Sequence, residues 1–164
     1  MNHSTLEKLK FPIGKCPKID TVSETELENW ITTIETFSSK IISLTKTLSV
    51  EELNWIYRPK GWSIKQVVHH CADSHMNSFI RFKLALTEDV PIIKPYEEQL
   101  WAELADGNSN DIVPSLQIIE SVHKRWVLLL KSLSSTELKR QFFHPSNLKI
   151  SSLEETIGVY AWHC

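Results

Sequence analysis

The sequence predicts an all-α protein, a four-helix bundle, on three observations. Apolar residues recur at spacings of three and four along four long segments, the period of an amphipathic helix. Each segment opens on a residue able to cap a helix, and none alternates apolar and polar residues as a half-buried strand does. Stripes of this kind must be buried against one another, which is the packing of a bundle. The 164 residues fit one domain, and a chain of that size buries roughly 70 % of the surface its unfolded form exposes. Hydrophobic residues make up 41 % and charged residues 23 %, ordinary for a globular domain and unlike a disordered one.

Taken in order, residues 1–22 carry Pro12, Gly14 and Pro17 without helical periodicity, which predicts an extended N-terminal arm lying on the bundle domain of residues 23–164. Ser23 with Glu26 forms a capping box, and Leu27, Trp30, Ile34, Phe37 and Ile41 continue it as the first long helix. Ser49 with Glu52 opens a short helical turn, closed by the loop signals Pro59 and Gly61. Ser63 with Gln66 starts the second long helix, whose stripe is Ile64, Val68, Cys71, His75, Phe79 and Phe82 and whose end falls near Thr87. Pro91 and Pro95 forbid its continuation, so a long connection runs to Asn110, with helical character around Glu97 to Leu104. Asp111 caps the third helix, Pro114 sits in its first turn, and Leu116, Ile119, His123, Trp126 and Leu130 form its apolar face. Ser152 with Glu155 starts the fourth, on which Leu153, Ile157, Ala161 and Cys164 begin a stripe. That helix stops at Cys164 with no glycine cap, which reads as a helix truncated in mid-course.

The formal net charge of −2, with basic and acidic residues interspersed, offers no positive face for a nucleic acid. No apolar run approaches the roughly 20 residues of a membrane span, and Met1 to Lys10 lack the apolar stretch of a secretion signal. A cytoplasmic protein with no membrane partner is expected. Cys16, Cys71 and Cys164 are scattered, as suits reduced thiols.

Chemistry concentrates in Val67 to His75, where His69, His70, His75 and Asp73 share about two helical turns. Imidazoles projected from facing bundle helices can converge on one ion, and neutral imidazole is the commonest protein ligand of first-row metals. His163 on the fourth helix is the natural partner. Adjacent helical residues point to different faces, so spacing alone does not choose between His69 and His70. His75 and His123 lie on apolar stripes, the position of core histidines hydrogen-bonded at one nitrogen. His3 and His144 are expected at the surface, Asp73 in solvent and Cys71 in the core. Trp30 and Trp126 belong to the stripes, whereas Trp62 and Trp162 flank the candidate site as pocket walls. Asp73, Asn77 and Arg81 follow His70 at helical spacing and could orient a ligand or bind a substrate anion; no independent general base is evident.

The run from Gly61 to Asn77, Gly-Trp-Ser-Ile-Lys-Gln-Val-Val-His-His-Cys-Ala-Asp-Ser-His-Met-Asn, followed by Arg81-Phe82-Lys83-Leu84, resembles the YfiT family of the DinB-like superfamily, metal-dependent hydrolases and thiol transferases. Phe11-Pro12-Ile13-Gly14, Lys94-Pro95-Tyr96, Trp101-Ala102-Glu103-Leu104, His123-Lys124-Arg125-Trp126, Phe143-His144-Pro145 and Tyr160-Ala161-Trp162-His163 extend the resemblance in order over essentially the whole chain. It implies an up-down-down-up four-helix bundle in which three histidines hold one divalent metal ion, zinc or nickel. The second His of the Val-Val-His-His run carries over to His70 and the His of Tyr-Ala-Trp-His to His163, while the third ligand would follow four residues later, beyond Cys164. With two of three implied ligands, the 164-residue chain is expected to hold its metal weakly or not at all. The resemblance further implies a homodimer acting on a small-molecule substrate, by hydrolysis or by S-transfer of a low-molecular-weight thiol such as bacillithiol or mycothiol. The alternative is a non-catalytic bundle that binds a small ligand or a partner protein, its histidines structural.

Overall fold

The computed structural model describes residues 3–19 and 21–164, with the side chains of His3 and Ser4 outside that description. The expected surface position of His3 therefore lies outside the described residues. The chain opens with helix α1 (His3–Lys10), where an extended arm is predicted. Between Thr5 and Lys10 the residues are mostly good helix formers, and Lys10 reaches back one turn to Glu7 at 3.0 Å. Pro12 and a left-handed Gly14 end it. The described residues between Gly14 and the start of α2 (Glu24–Thr45) have no regular structure. The indole N–H of Trp162 donates to the Gly14 carbonyl at 3.1 Å, which ties this segment to the end of the chain.

The capping boxes predicted at Ser23, Ser49, Ser63 and Ser152 all form, opening α2, α3 (Val50–Leu53), α4 (Ile64–Thr87) and, at the end of the chain, the last helix. Each cap contributes about 0.5–2 kcal/mol to its helix. After α4 come the short α5 (Glu98–Trp101) and then α6 (Val113–Ser132). Asp111 stands one residue ahead of the actual N-cap, Ile112, yet its carboxylate accepts the N–H of Val113 at 3.1 Å. Pro114 occupies the first turn, where its missing N–H costs nothing. A short α7 (Ser135–Leu138) opens on a further capping box, Ser134 with Glu137.

The expectation of no strands is corrected by a hairpin of β1 (Gln141–His144) and β2 (Lys149–Ser152), paired antiparallel with Gln141 opposite Ser152 and His144 opposite Lys149. Strands of four residues are too short for alternation to register, and only Phe142 and Ser152 are fully buried. The hairpin is also held from outside, since Phe143 donates to the Pro91 carbonyl and accepts from the Ile93 N–H. It leads directly into α8 (Leu153–His163).

Helices α2, α4, α6 and α8 form a four-helix bundle in which α4 packs on α6, α6 on α2 and α2 on α8. The contacts fix the directions. His69 meets Ser115 and Phe82 meets Trp126, so α4 and α6 run parallel. The start of α2 at Glu24 and Leu27 lines a groove with Leu130 and Lys131 at the end of α6, so those two are antiparallel. Tyr160 reaches Ser74 while His163 reaches back to His70, so α8 opposes α4. The order is up, down, down, up. Trp126, Phe82, Ile34, Leu153 and Ile157 are fully buried in the core, each contributing roughly 1.5–3 kcal/mol by removal from water. No helix among the described residues is long and apolar enough to cross a membrane.

Candidate functional site

Four histidines from three helices meet near the middle of the bundle. His70 and His75 come from α4, His123 from α6 and His163 from the last turn of α8. They make two sets with different surroundings. His75 and His123 are 0 % and 1 % exposed, with ring centroids 4.8 Å apart, and are caged by Phe37, Trp126 and, at His75, Tyr160. They are core histidines, as their stripe positions predict, but each uses both nitrogens rather than one. His123 Nδ1 donates to the Ile34 carbonyl at 2.7 Å, His123 Nε2 lies 2.6 Å from His75 Nδ1, and His75 Nε2 lies 3.0 Å from His163 Nδ1.

His70 and His163 are half-buried and face each other with ring centroids 5.5 Å apart. Neither nitrogen of His70, nor Nε2 of His163, has a hydrogen-bond partner among the described residues. Burial depresses the imidazole pKa of His70 to about 4; at His163 burial, assisted by the charge His70 would carry, depresses it to about 4 as well. Both rings therefore present neutral lone pairs at physiological pH. Two imidazoles on one tetrahedral ion, with metal–nitrogen distances of about 2 Å, stand roughly 5 Å apart centre to centre, so the pair fits a shared ion. Among the described residues no group of three or more His, Cys, Asp or Glu is placed to hold a metal.

His69 is excluded from this site. It turns to the α6 side, where Nδ1 is 2.7 Å from the Ser115 hydroxyl and Nε2 is 3.0 Å from the Ser109 carbonyl, and it is buried there. The helical rotation between adjacent residues thus separates His69 from His70 completely. Trp62, from the loop ahead of α4, lies with its ring 4.6 Å from that of His70 and forms a wall. Trp162 does not, because its N–H is spent on Gly14.

Two hollows with His70, His163 and Glu98 in both linings border the histidine pair. A cavity of about 520 Å³ is lined by His70, His163, Ser74, Tyr160 and Arg81 among others, and a smaller one of about 270 Å³ by Trp62, Tyr57 and Arg58. The carboxylates lining the larger cavity are Glu97 and Glu98, and Glu98 lines the smaller one too. Arg81 makes no ion pair among the described residues; local burial and, after it, the charge of Arg81 lower the pKa of His144. His144 is half-buried against this cavity rather than at the free surface, because the unforeseen hairpin brings β1 alongside α4. Asp73 is likewise half-buried rather than solvated, and burial, followed by the charge of Asp106, raises its pKa. Cys71 is a core residue, its thiol pushed up to about 12 by burial.

Sequence spacing left no trace of Tyr160 or Glu98 as neighbours of one cavity, whereas Trp62 stands where it was expected, beside His70. Tyr160 donates to the Ser74 carbonyl and sits 3.2 Å from the Ser74 hydroxyl, which locks α8 onto α4 beside the histidines. The signal available in sequence was the placement of His75 and His123 on apolar stripes, a costly position for an imidazole unless both nitrogens are used.

Comparison with known proteins agrees with this architecture. The model of the DinB superfamily matches residues 34–164. The YfiT protein of Bacillus subtilis is 41 % identical over 159 residues, covering 97 % of this chain and 89 % of that protein. A protein of Oceanobacillus iheyensis is 46 % identical over 154 residues (94 % and 88 %), and one of Bacillus mycoides 44 % identical over 158 residues (96 % and 90 %). All three are provisionally named metal-dependent hydrolases. The solved structure of the B. subtilis protein, a four-helix bundle of unusual topology, superimposes with a TM-score of 0.92 over 95 % of this chain and 89 % of that one. A helix order shared at this identity over nearly the full length leaves one assignment: the chain belongs to the DinB superfamily, among the relatives of YfiT.

Proposed function

We propose that the protein is a divalent-metal-dependent enzyme that carries out hydrolysis, or transfer of a low-molecular-weight thiol, on a small-molecule substrate in the cavity beside His70 and His163. The observation that carries this reading is the pair itself: two neutral imidazoles from different helices, 5.5 Å apart, with uncommitted nitrogens. The names of its relatives point the same way. His70 and His163 would hold a zinc or nickel ion with neutral ligands only. Such an ion lowers the pKa of a bound water to about 7 and deprotonates a bound thiol, supplying the nucleophile for either reaction.

The chain's own groups divide the remaining work. Trp62 packs on His70 and walls that side of its ring. Glu98, exposed at the mouth shared by both hollows, is the carboxylate placed to take up a proton released there. Arg81 supplies a cation inside the larger cavity and would anchor an anionic substituent of the substrate. The Tyr160 hydroxyl, held by Ser74, shapes the floor.

The test is turnover by metal-loaded protein of a panel of esters, amides and thiol–electrophile pairs. Turnover is expected to vanish in His70→Ala, and KM for anionic substrates to rise several-fold in Arg81→Gln. Equal turnover by His70→Ala would overturn the metal reading, and stability indifferent to metal and chelator alike would leave a ligand-binding bundle in its place.

A further inference from the structure

We propose that the Ile34 carbonyl, His123 and His75 form a relay that fixes which nitrogen of His163 carries its proton, leaving Nε2 as a bare lone pair toward His70. The inference rests on the metal-binding reading of His70 and His163, and it names His75 and His123 as positioning residues for that site.

The logic starts from a group whose role is fixed, because a backbone carbonyl only accepts. Ile34 O lies 2.7 Å from His123 Nδ1, so the proton of that ring is on Nδ1. A neutral imidazole has one N–H, so His123 Nε2 is an acceptor. His75 Nδ1, 2.6 Å away, must then donate to it, which leaves His75 Nε2 as a lone pair. His163 Nδ1, 3.0 Å from that lone pair, must donate in turn, and His163 Nε2 is the nitrogen without a proton. One carbonyl on α2 thus determines the tautomer of three rings on three other helices. Among the described residues no carboxylate hydrogen-bonds to any of the three rings, and Phe37, Trp126 and Tyr160 pack around them, so no described group supports a second proton on a ring.

A metal-ligating histidine ordinarily gives its other N–H to an oxygen acceptor, which fixes the ring and raises the basicity of the ligating nitrogen. Here the acceptor is another neutral imidazole, itself polarised by the next one and by a carbonyl at the end of the chain, an arrangement in which successive hydrogen bonds strengthen one another. His70 has no such support and relies on Trp62 alone. The site is therefore asymmetric, with His163 prepared for an ion before one arrives.

Nitrogen-15 NMR of histidine-labelled, metal-free protein at pH 8 reads the tautomers directly. Free neutral histidine prefers the proton on Nε2, so the expected result, His163 with Nδ1–H and an unprotonated Nε2, is the opposite of the default. In His123→Phe, which keeps a ring but removes the source of the order, His163 is expected to become a mixture of tautomers and zinc binding to weaken about tenfold. His123→Gln, whose amide both donates and accepts, is expected to restore at least part of each. Wild-type His163 protonated on Nε2, or an unchanged tautomer in a folded His123→Phe, would overturn the relay. Zinc binding that is absent while the wild-type tautomer is as stated would overturn the metal reading and leave the relay standing.

Discussion

His75 and His70 lie on the same helix, and each faces a second histidine from a neighbouring helix, yet the two pairs have opposite characters. At His75 and His123 every ring nitrogen is hydrogen-bonded and the rings are sealed among Phe37, Trp126 and Tyr160. At His70 and His163 three nitrogens, both of His70 and Nε2 of His163, have no hydrogen-bond partner among the described residues, and the rings border a cavity. Histidine content and helical position do not separate an imidazole with both nitrogens bonded from one with free nitrogens. The disposition of the lone pairs does, because a buried polar atom without a partner is costly and a native fold keeps one accessible where something else can occupy it.

The contrast can be broken hardest at its sealed end. His75→Ala removes a fully buried side chain and strands the nitrogens of His123 and His163, and it is expected to cost about 3–5 kcal/mol in urea unfolding of the metal-free protein. A loss below about 1 kcal/mol would mean that the rings do not pack as described.

Acid is the next largest lever. An unfolded imidazole titrates near 6.5, whereas His70 and His163 are held at about 4 and His75 and His123 are lowered as well. Because these folded-state values are depressed, the unfolded chain takes up protons first, and the stability they contribute is complete above pH about 6.5 and lost as pH falls toward 4. Metal-free protein should lose on the order of 5 kcal/mol between pH 7 and 4.5, about half of it from each of His70 and His163, a slope that His70→Ala makes shallower. Stability that is flat across that window would contradict the neutral, buried state of the cluster.

The smallest effects on stability sharpen the comparison between adjacent residues. His69, tied to Ser109 and Ser115, is expected to cost about 1–2 kcal/mol as His69→Ala, and His70, with no hydrogen bond to lose, under about 1 kcal/mol as His70→Ala. Thermal unfolding of the two variants side by side checks the ordering, and the reverse order would mean that the rings have been assigned to the wrong faces.

How much of this was legible in sequence follows from the range of each interaction. The four long helices were, because capping boxes and 3–4 stripes are local; Ser23, Ser63 and Ser152 each begin a helix where the pattern places it. The β1–β2 hairpin was not, since its strands are held partly by Pro91 and Ile93, about fifty residues away in the chain. His163 and His70 meet across the bundle, and that meeting was reached through family resemblance; helical periodicity by itself left His69 and His70 equivalent. The relay was invisible because its last member is a backbone carbonyl at Ile34, which no sequence pattern marks.

Zinc titration of the protein and of His70→Ala, His163→Ala and His69→Ala, followed calorimetrically at pH 7.5, separates a metal centre from a polar core. One weakly bound ion per chain, its affinity at least tenfold lower in His70→Ala and His163→Ala but within a few-fold of wild type in His69→Ala, is the result expected of a site built on His70 and His163. Affinity that is unaffected by removing His70 and His163, or lost only with His69, would contradict it.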